Sequence, residues 1–178
     1  MMPFTARVTG PCSWGTGVQG SYPGTRPART MEVMLDTRLA GYWSDDDLYQ
    51  GAMEAADIAF RPDGTGWTYW SRVGGTFYVL RFNWHTTDDR RLTLDLHEKL
   101  SGSWDLVGHT AQHHAVSQAS YDKQLALAYE IRAGQDVFKR PATLLELDRK
   151  ISLGTIGDRF AYKRELAQTE HDPTTCSP

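Results

Sequence analysis

The stretch Ile58-Ala59-Phe60-Arg61-Pro62-Asp63-Gly64-Thr65-Gly66-Trp67-Thr68-Tyr69-Trp70 decides the fold. Apolar and small residues alternate up to Arg61, and aromatic and small residues alternate after Thr65. Between them, Pro62 sets φ at the second position of a turn, Asp63 suits the third, and Gly64 takes a left-handed backbone. This is a hairpin closed by a type I turn with a glycine bulge. Pairing Arg61 with Thr65 puts Ile58, Phe60, Thr68 and Trp70 on one face, because side chains in a strand alternate with a period of two.

The pattern continues outward. Val73-Gly74-Gly75 links to a strand with Tyr78, Leu80, Phe82 and Trp84 on one face and Val79, Arg81, Asn83 and His85 on the other. Pairing Arg72 with Thr76 sets Trp70 opposite Tyr78 and Thr68 opposite Leu80. The loop Thr86 to Arg90 aligns Phe82 with Leu94 and Arg81 with Asp95, in a strand carrying Leu92, Leu94 and Leu96. Leu125, Leu127, Tyr129 and Ile131 alternate again. Thr143 to Leu147 is a short apolar run, and Phe160, Tyr162 and Arg164 share a face of the last strand. Residues 104–117 declare no clear period. With Leu39 to Trp43 as the opening strand, the expectation is an all-β, antiparallel up-and-down barrel of eight or nine strands. Ser44 before Asp45, Asp46 and Asp47 reads as an N-cap with acids in the first turn, predicting a short helix at Asp45 to Gln50.

The chain has 178 residues and a net charge of -3. Residues 1–30 hold three arginines and no acid, so this segment carries +3 and the remainder -6. An acidic body argues against nucleic acid as an electrostatically driven partner. No apolar run approaches the ~18 residues of a membrane span. The first 30 residues are dense in glycine and proline and read as a disordered extension, with Met31 as a candidate translation start. Residues 31–167 form the barrel, and residues 168–178 are a polar tail expected to fray. The two cysteines, Cys12 and Cys176, stand one near each end. They read as free thiols of a cytoplasmic protein, with a clasp between the termini as the alternative.

The opening strand, Leu39-Ala40-Gly41-Tyr42-Trp43, carries a Gly-x-Trp, and Arg164 sits on the last strand. The pair resembles the calycin superfamily, the lipocalins and their relatives, over residues 38–165. The turn from Phe60 to Gly66 also looks like one common in small lipocalin-like domains. The resemblance implies that Trp43 closes one end of a barrel and that Arg164 packs across its face, where a guanidinium gains cation–π attraction. Gly41, Trp43 and Arg164 are therefore the expected closure. No second lipocalin motif and no secretory signal are present, which implies a cytoplasmic member.

The inward residues Phe60, Thr68, Trp70, Tyr78, Phe82, Trp84 and Tyr129 are candidates for stacking a flat apolar ligand. The alternative is that they fill the barrel, since eight strands enclose just enough room for either. Indole N–H groups need partners when buried, which favours an internal water or ligand. On the opposite face, Trp67, Tyr69, Arg81 and Asp95 form either a cross-strand ladder or an exposed contact patch. His109, His113 and His114 lack the spacing and companions of a zinc site, and the Asp45 to Asp47 run lacks the pattern of a calcium loop. No nucleophile elbow or P-loop is present, and the one Gly-x-Gly-x-x-Gly, starting at Gly15, has neither its strand nor its helix. No catalytic residue, metal or cofactor is assigned. The expected function is binding of a small apolar or aromatic molecule. The alternatives are a filled interaction barrel, contacting a protein partner or a second copy, and a barrel isomerase or cyclase.

Overall fold

A computed structural model describes residues 34–49, 51–87, 90–107, 110–151, 157–166 and 172–174. The expected extension at 1–30 lies outside these residues, as does most of the expected tail.

Eight strands follow in chain order: β1 (Gly41–Ser44), β2 (Glu54–Phe60), β3 (Thr65–Arg72), β4 (Thr76–Thr86), β5 (Arg91–Val107), β6 (Thr110–Gln135), β7 (Pro141–Leu147) and β8 (Arg159–Arg164). Each pairs antiparallel with its neighbours in sequence, and β8 returns to β1, so the sheet closes on itself into a barrel-like ring. No strand edge is then left over at the seam. Among the described residues no helix is long and apolar enough to cross a membrane.

The short helix predicted at Asp45 to Gln50 is not formed. Asp45 is buried, and its Oδ1 accepts the Ala56 backbone N–H at 2.7 Å while its own N–H donates to the Ala56 carbonyl. The carboxylate thus extends the β1–β2 ladder by one rung, and the chain leaves it in a turn closed from Leu48 to Asp45. A side chain committed to β2 cannot serve the first turn of a helix.

The decisive hairpin has the expected register, with Ile58 opposite Thr68 and Phe60 opposite Gly66. Among the described residues its turn is one of four closed alike. The N–H of Gly64, Gly75, Arg90 and Lys139 each donates to the carbonyl three residues back, and all four have positive φ. Trp70 lies opposite Tyr78 and Thr68 opposite Leu80, also as expected. The β4–β5 register differs. Phe82 faces Leu96 rather than Leu94, and Asn83 rather than Arg81 faces Asp95. The hairpin closes at Thr87 and Arg91 because Arg90 adopts the left-handed conformation that the sequence reading reserved for glycine. The shift is two residues, so the apolar faces are preserved.

Of the stretch 104–117, which showed no period, residues 104–107 and 110–117 belong to two long strands. β5 and β6 have 17 and 26 residues. Beyond Ser103, β5 has left β4 and pairs with β6 alone. This projecting arm exposes Leu106 and Val107, which is why no one-sided apolar pattern marks it.

Two apolar clusters hold the ring. The inner one joins Trp43, Ile58, Phe60, Phe82, Trp84, Leu92, Leu94, Leu96, Leu127 and Phe160. The outer one joins Ala59, Trp67, Tyr69, Phe77, Val79, Leu100 and Leu166 against one side of the sheet. Each fully buried large side chain contributes roughly 1.5–3 kcal/mol.

Candidate functional site

At one end the interior is sealed. Phe60 is fully buried, 5.8 Å from Phe82 and 5.2 Å from Trp84 between ring centroids. Trp84 Nε1 donates to the carbonyls of Arg61 and Thr65, both at 3.1 Å. Trp43 Nε1 donates to the Leu39 carbonyl at 2.8 Å. The indole N–H groups of Trp43 and Trp84 therefore find partners in the main chain and call for no internal water or ligand at this end. Tyr129 also lies at this end. Its hydroxyl donates to Asp36 Oδ2 at 2.8 Å. Arg38 holds Asp36 down to about 2, while burial and Asp36 push Tyr129 up to about 12.

Of the residues expected at the closure, Gly41 and Trp43 lie beside Tyr162: a Cβ on Gly41 would meet Tyr162 Cε2 at 2.5 Å, so only glycine lets the Tyr162 ring pass. That ring meets Trp43 edge-on at 5.1 Å. Arg164 does not cross Trp43. Tyr42 pairs with Arg164 and Trp43 with Tyr162, which leaves Lys163 as an extra residue on β8. This bulge turns Arg164 to the outer face, where its guanidinium lies 5.0 Å from the Tyr42 ring centre.

The candidate contact patch is not exposed. Trp67 is 3% exposed and Tyr69 is also buried, both within the outer cluster. Arg81 lies between Glu98 at 2.5 Å and Asp172 at 2.7 Å. Asp172, one of the three described residues of the expected tail, is itself buried. Asp95 is separate, opposite Asn83 and accepting from Gln124 at 2.6 Å. His113 packs against Phe77 and Tyr69, while His114 binds Asp105 at 2.9 Å. His109 lies outside the described residues. Among those described, no three His, Cys, Asp or Glu side chains are placed to hold a metal ion.

The other end of the interior is open. Trp70 stacks on Tyr78 at 4.9 Å and 19° and donates its N–H to Glu54. Thr68 is buried and donates its hydroxyl proton to the Asp57 carbonyl. Beyond this pair lies a pocket of about 180 Å³. Tyr78, Leu80, Tyr121 and Ile151 form its apolar walls, and Lys99, Lys123 and Lys150 its polar part. Of the seven inward candidates only Tyr78 lines it.

The pocket residues that the sequence reading missed have different causes. Lys99 is turned inward by a second bulge. Arg81 pairs with Glu98 and Phe82 with Leu96, so His97 is an extra residue on β5. Alternation reverses there: Leu92, Leu94 and Leu96 point in, then Lys99 points in opposite Leu80 and Leu100 joins the outer cluster. Tyr121 and Lys123 had a signal, since they continue the spacing of Leu125 and Leu127 backward by twos. Lys150 and Ile151 follow β7 and carry no periodic signature.

A wider cleft of about 540 Å³ runs beside Trp43 and Tyr162, but its charged lining is balanced between Arg38 and Glu165. Two acids near the start of the β1–β2 ladder have raised pKa values. Burial pushes Asp45 up to about 7 and Asp57 up to about 6. Such shifts are common in catalytic acids. Neither acid lines the open pocket, and Asp45 is bonded to the β2 backbone.

A scan against models of protein families finds no match to this chain, and a search of curated proteins finds none.

Proposed function

We propose that this chain is a lipocalin-like barrel that binds a small apolar or aromatic molecule at the open end of its interior. The observation that carries this reading is the pocket in which Tyr78, Leu80, Tyr121 and Ile151 present apolar walls beside a few polar groups. Ligand sites typically combine these two features. A cavity of about 150 Å³ holds a benzene ring, so one of about 180 Å³ admits a single ring and little more. The ligand does not enter past Phe60 and Phe82, whose buried rings pack the sealed end of the interior. Binding therefore takes place at the mouth, against the Tyr78 ring, which Trp70 backs by stacking on it.

The interaction reading has lost the patch that motivated it, because Trp67 and Tyr69 are buried. The test is a titration with single-ring probes followed by nuclear magnetic resonance of the aromatic side chains. Saturable shifts at Tyr78 and Tyr121, with Phe60 and Phe82 unmoved, support the reading. Probes that shift none of these rings overturn it.

A further inference from the structure

We propose that the ligand is an aromatic monocarboxylate, its ring between Tyr78 and Tyr121 and its carboxylate beside Lys99 and Lys123. The inference rests on the open pocket being the binding site and adds the charge and class of what enters it.

Three of the seven lining residues are lysines and none is an acid. The chain as a whole has 22 acids to 19 lysines and arginines, so this is a local reversal of its charge balance. The reversal is built by the fold. Lys99 would face outward if β5 alternated regularly, and the extra residue His97 turns it in opposite Leu80. Lys123 lies opposite Leu96, which is in the inner cluster. Among the described residues neither Lys99 nor Lys123 has an ion-pair partner. Lys99 Nζ lies 5.5 Å from the Tyr78 ring centre, a cation–π contact that holds it at the pocket wall. A cation near low-dielectric walls attracts an anion more strongly than it would in open water. Two lysines set beside two tyrosine rings match a ligand with one flat apolar body and one negative charge. The volume limits that body to a single ring.

The experiment compares 4-methylbenzoate, 4-methylbenzyl alcohol and acetate by calorimetric titration of the full chain. The first has ring and charge, the second the ring alone, the third the charge alone. The expected result is that 4-methylbenzoate binds about tenfold more tightly than the alcohol at low ionic strength and that added salt narrows the gap. Acetate binds more weakly than either ring-bearing probe. Lys99→Gln and Lys123→Gln each weaken 4-methylbenzoate about three- to tenfold and the alcohol by less, which narrows the preference, since one charge pair is lost in each. Lys99→Arg retains the preference, and Lys139→Gln, on the distant β6–β7 turn, changes nothing. If the alcohol binds as well as the carboxylate, or if both glutamine variants keep the preference, the charge assignment is wrong while the pocket stands. If neither ring-bearing probe binds, the pocket reading itself fails, and the charge assignment with it.

Discussion

Phe60, Phe82 and Trp84 share the ring's interior with Trp70, Tyr78 and Tyr121, and β4 carries residues of both sets. The first set packs ring to ring within 6 Å, and its one indole N–H is satisfied by the main chain of the adjoining turn. Of the second set, Tyr78 and Tyr121 line a pocket that lysines share, and Trp70 stacks on Tyr78. The difference is one of neighbours rather than of composition. At the sealed end β5 contributes Leu92, Leu94 and Leu96, and β8 contributes Phe160. At the open end, past the β5 bulge, the inward position goes to Lys99. An aromatic ring becomes core when the strands beside it supply volume, and becomes a wall when they supply charge.

The largest effects should come from breaking the sealed end. Phe60→Ala removes a fully buried ring and should cost about 3–5 kcal/mol in urea unfolding, a typical loss for such a truncation. Gly41→Ala should cost about 1–3 kcal/mol, because Gly41 holds a positive φ of 144° and the new methyl would strike Tyr162. The near-ultraviolet circular dichroism of Trp43 should change with it. A stable Gly41→Ala protein with an unaltered aromatic spectrum would show that the Trp43–Tyr162 contact does not define this end.

An intermediate effect concerns Asp45, which anchors β2 next to Trp70. Its folded pKa is about 7 against an ordinary 3.8, so the folded chain keeps a proton that the unfolded chain releases between pH ~4 and ~7. Its contribution to stability is then fullest below pH ~4, declines as pH rises to ~7, and is flat above. Comparing Asp45→Asn with the parent chain isolates this term from acids such as Asp36, whose lowered pKa acts in the opposite direction. The two stability curves should converge or cross over that window. Parallel curves from pH 4 to 8 would show that the carboxyl is already ionised in the fold.

The smallest stability effects belong to the open end. Tyr121→Ala should cost about 1 kcal/mol, since its ring is only partly buried and packs at the edge of the inner cluster. Lys99→Gln should change stability by less than about 0.5 kcal/mol. Either variant unfolding as readily as Phe60→Ala would mean that the two ends are not different in kind.

Much of this was legible in the residues. The Arg61 to Thr65 turn, the registers of β2 with β3 and of β3 with β4, and the inward set from Ile58 to Trp84 all follow from local rules. A two-residue period and a turn with proline and glycine act over a few bonds, so any stretch of chain reveals them. The misreadings share a cause. Arg90 takes a left-handed position without being glycine, and the bulges at His97 and Lys163 insert a residue where strands must curve to close the ring. Whether a ladder accepts an extra residue depends on the strands on both sides of it. For β8 one of those is β1, more than a hundred residues earlier in the chain.

Asp45 and Trp67 illustrate the same limit from the polar and the apolar side. An aspartate after a strand suits a helix cap, and an aromatic on the outer face suits a contact patch. Each became buried only because Ala56 in one case and Tyr42, Leu100 and Leu166 in the other came to lie against it. Residue order was enough to set the antiparallel β architecture and which residues of β2, β3 and β4 turn inward, because backbone sterics and hydrophobic alternation are local. Which inward residues pack solid and which surround a space, and that Lys99 is among the latter, came from closure of the ring, because packing and desolvation are sums over every strand that meets at a point.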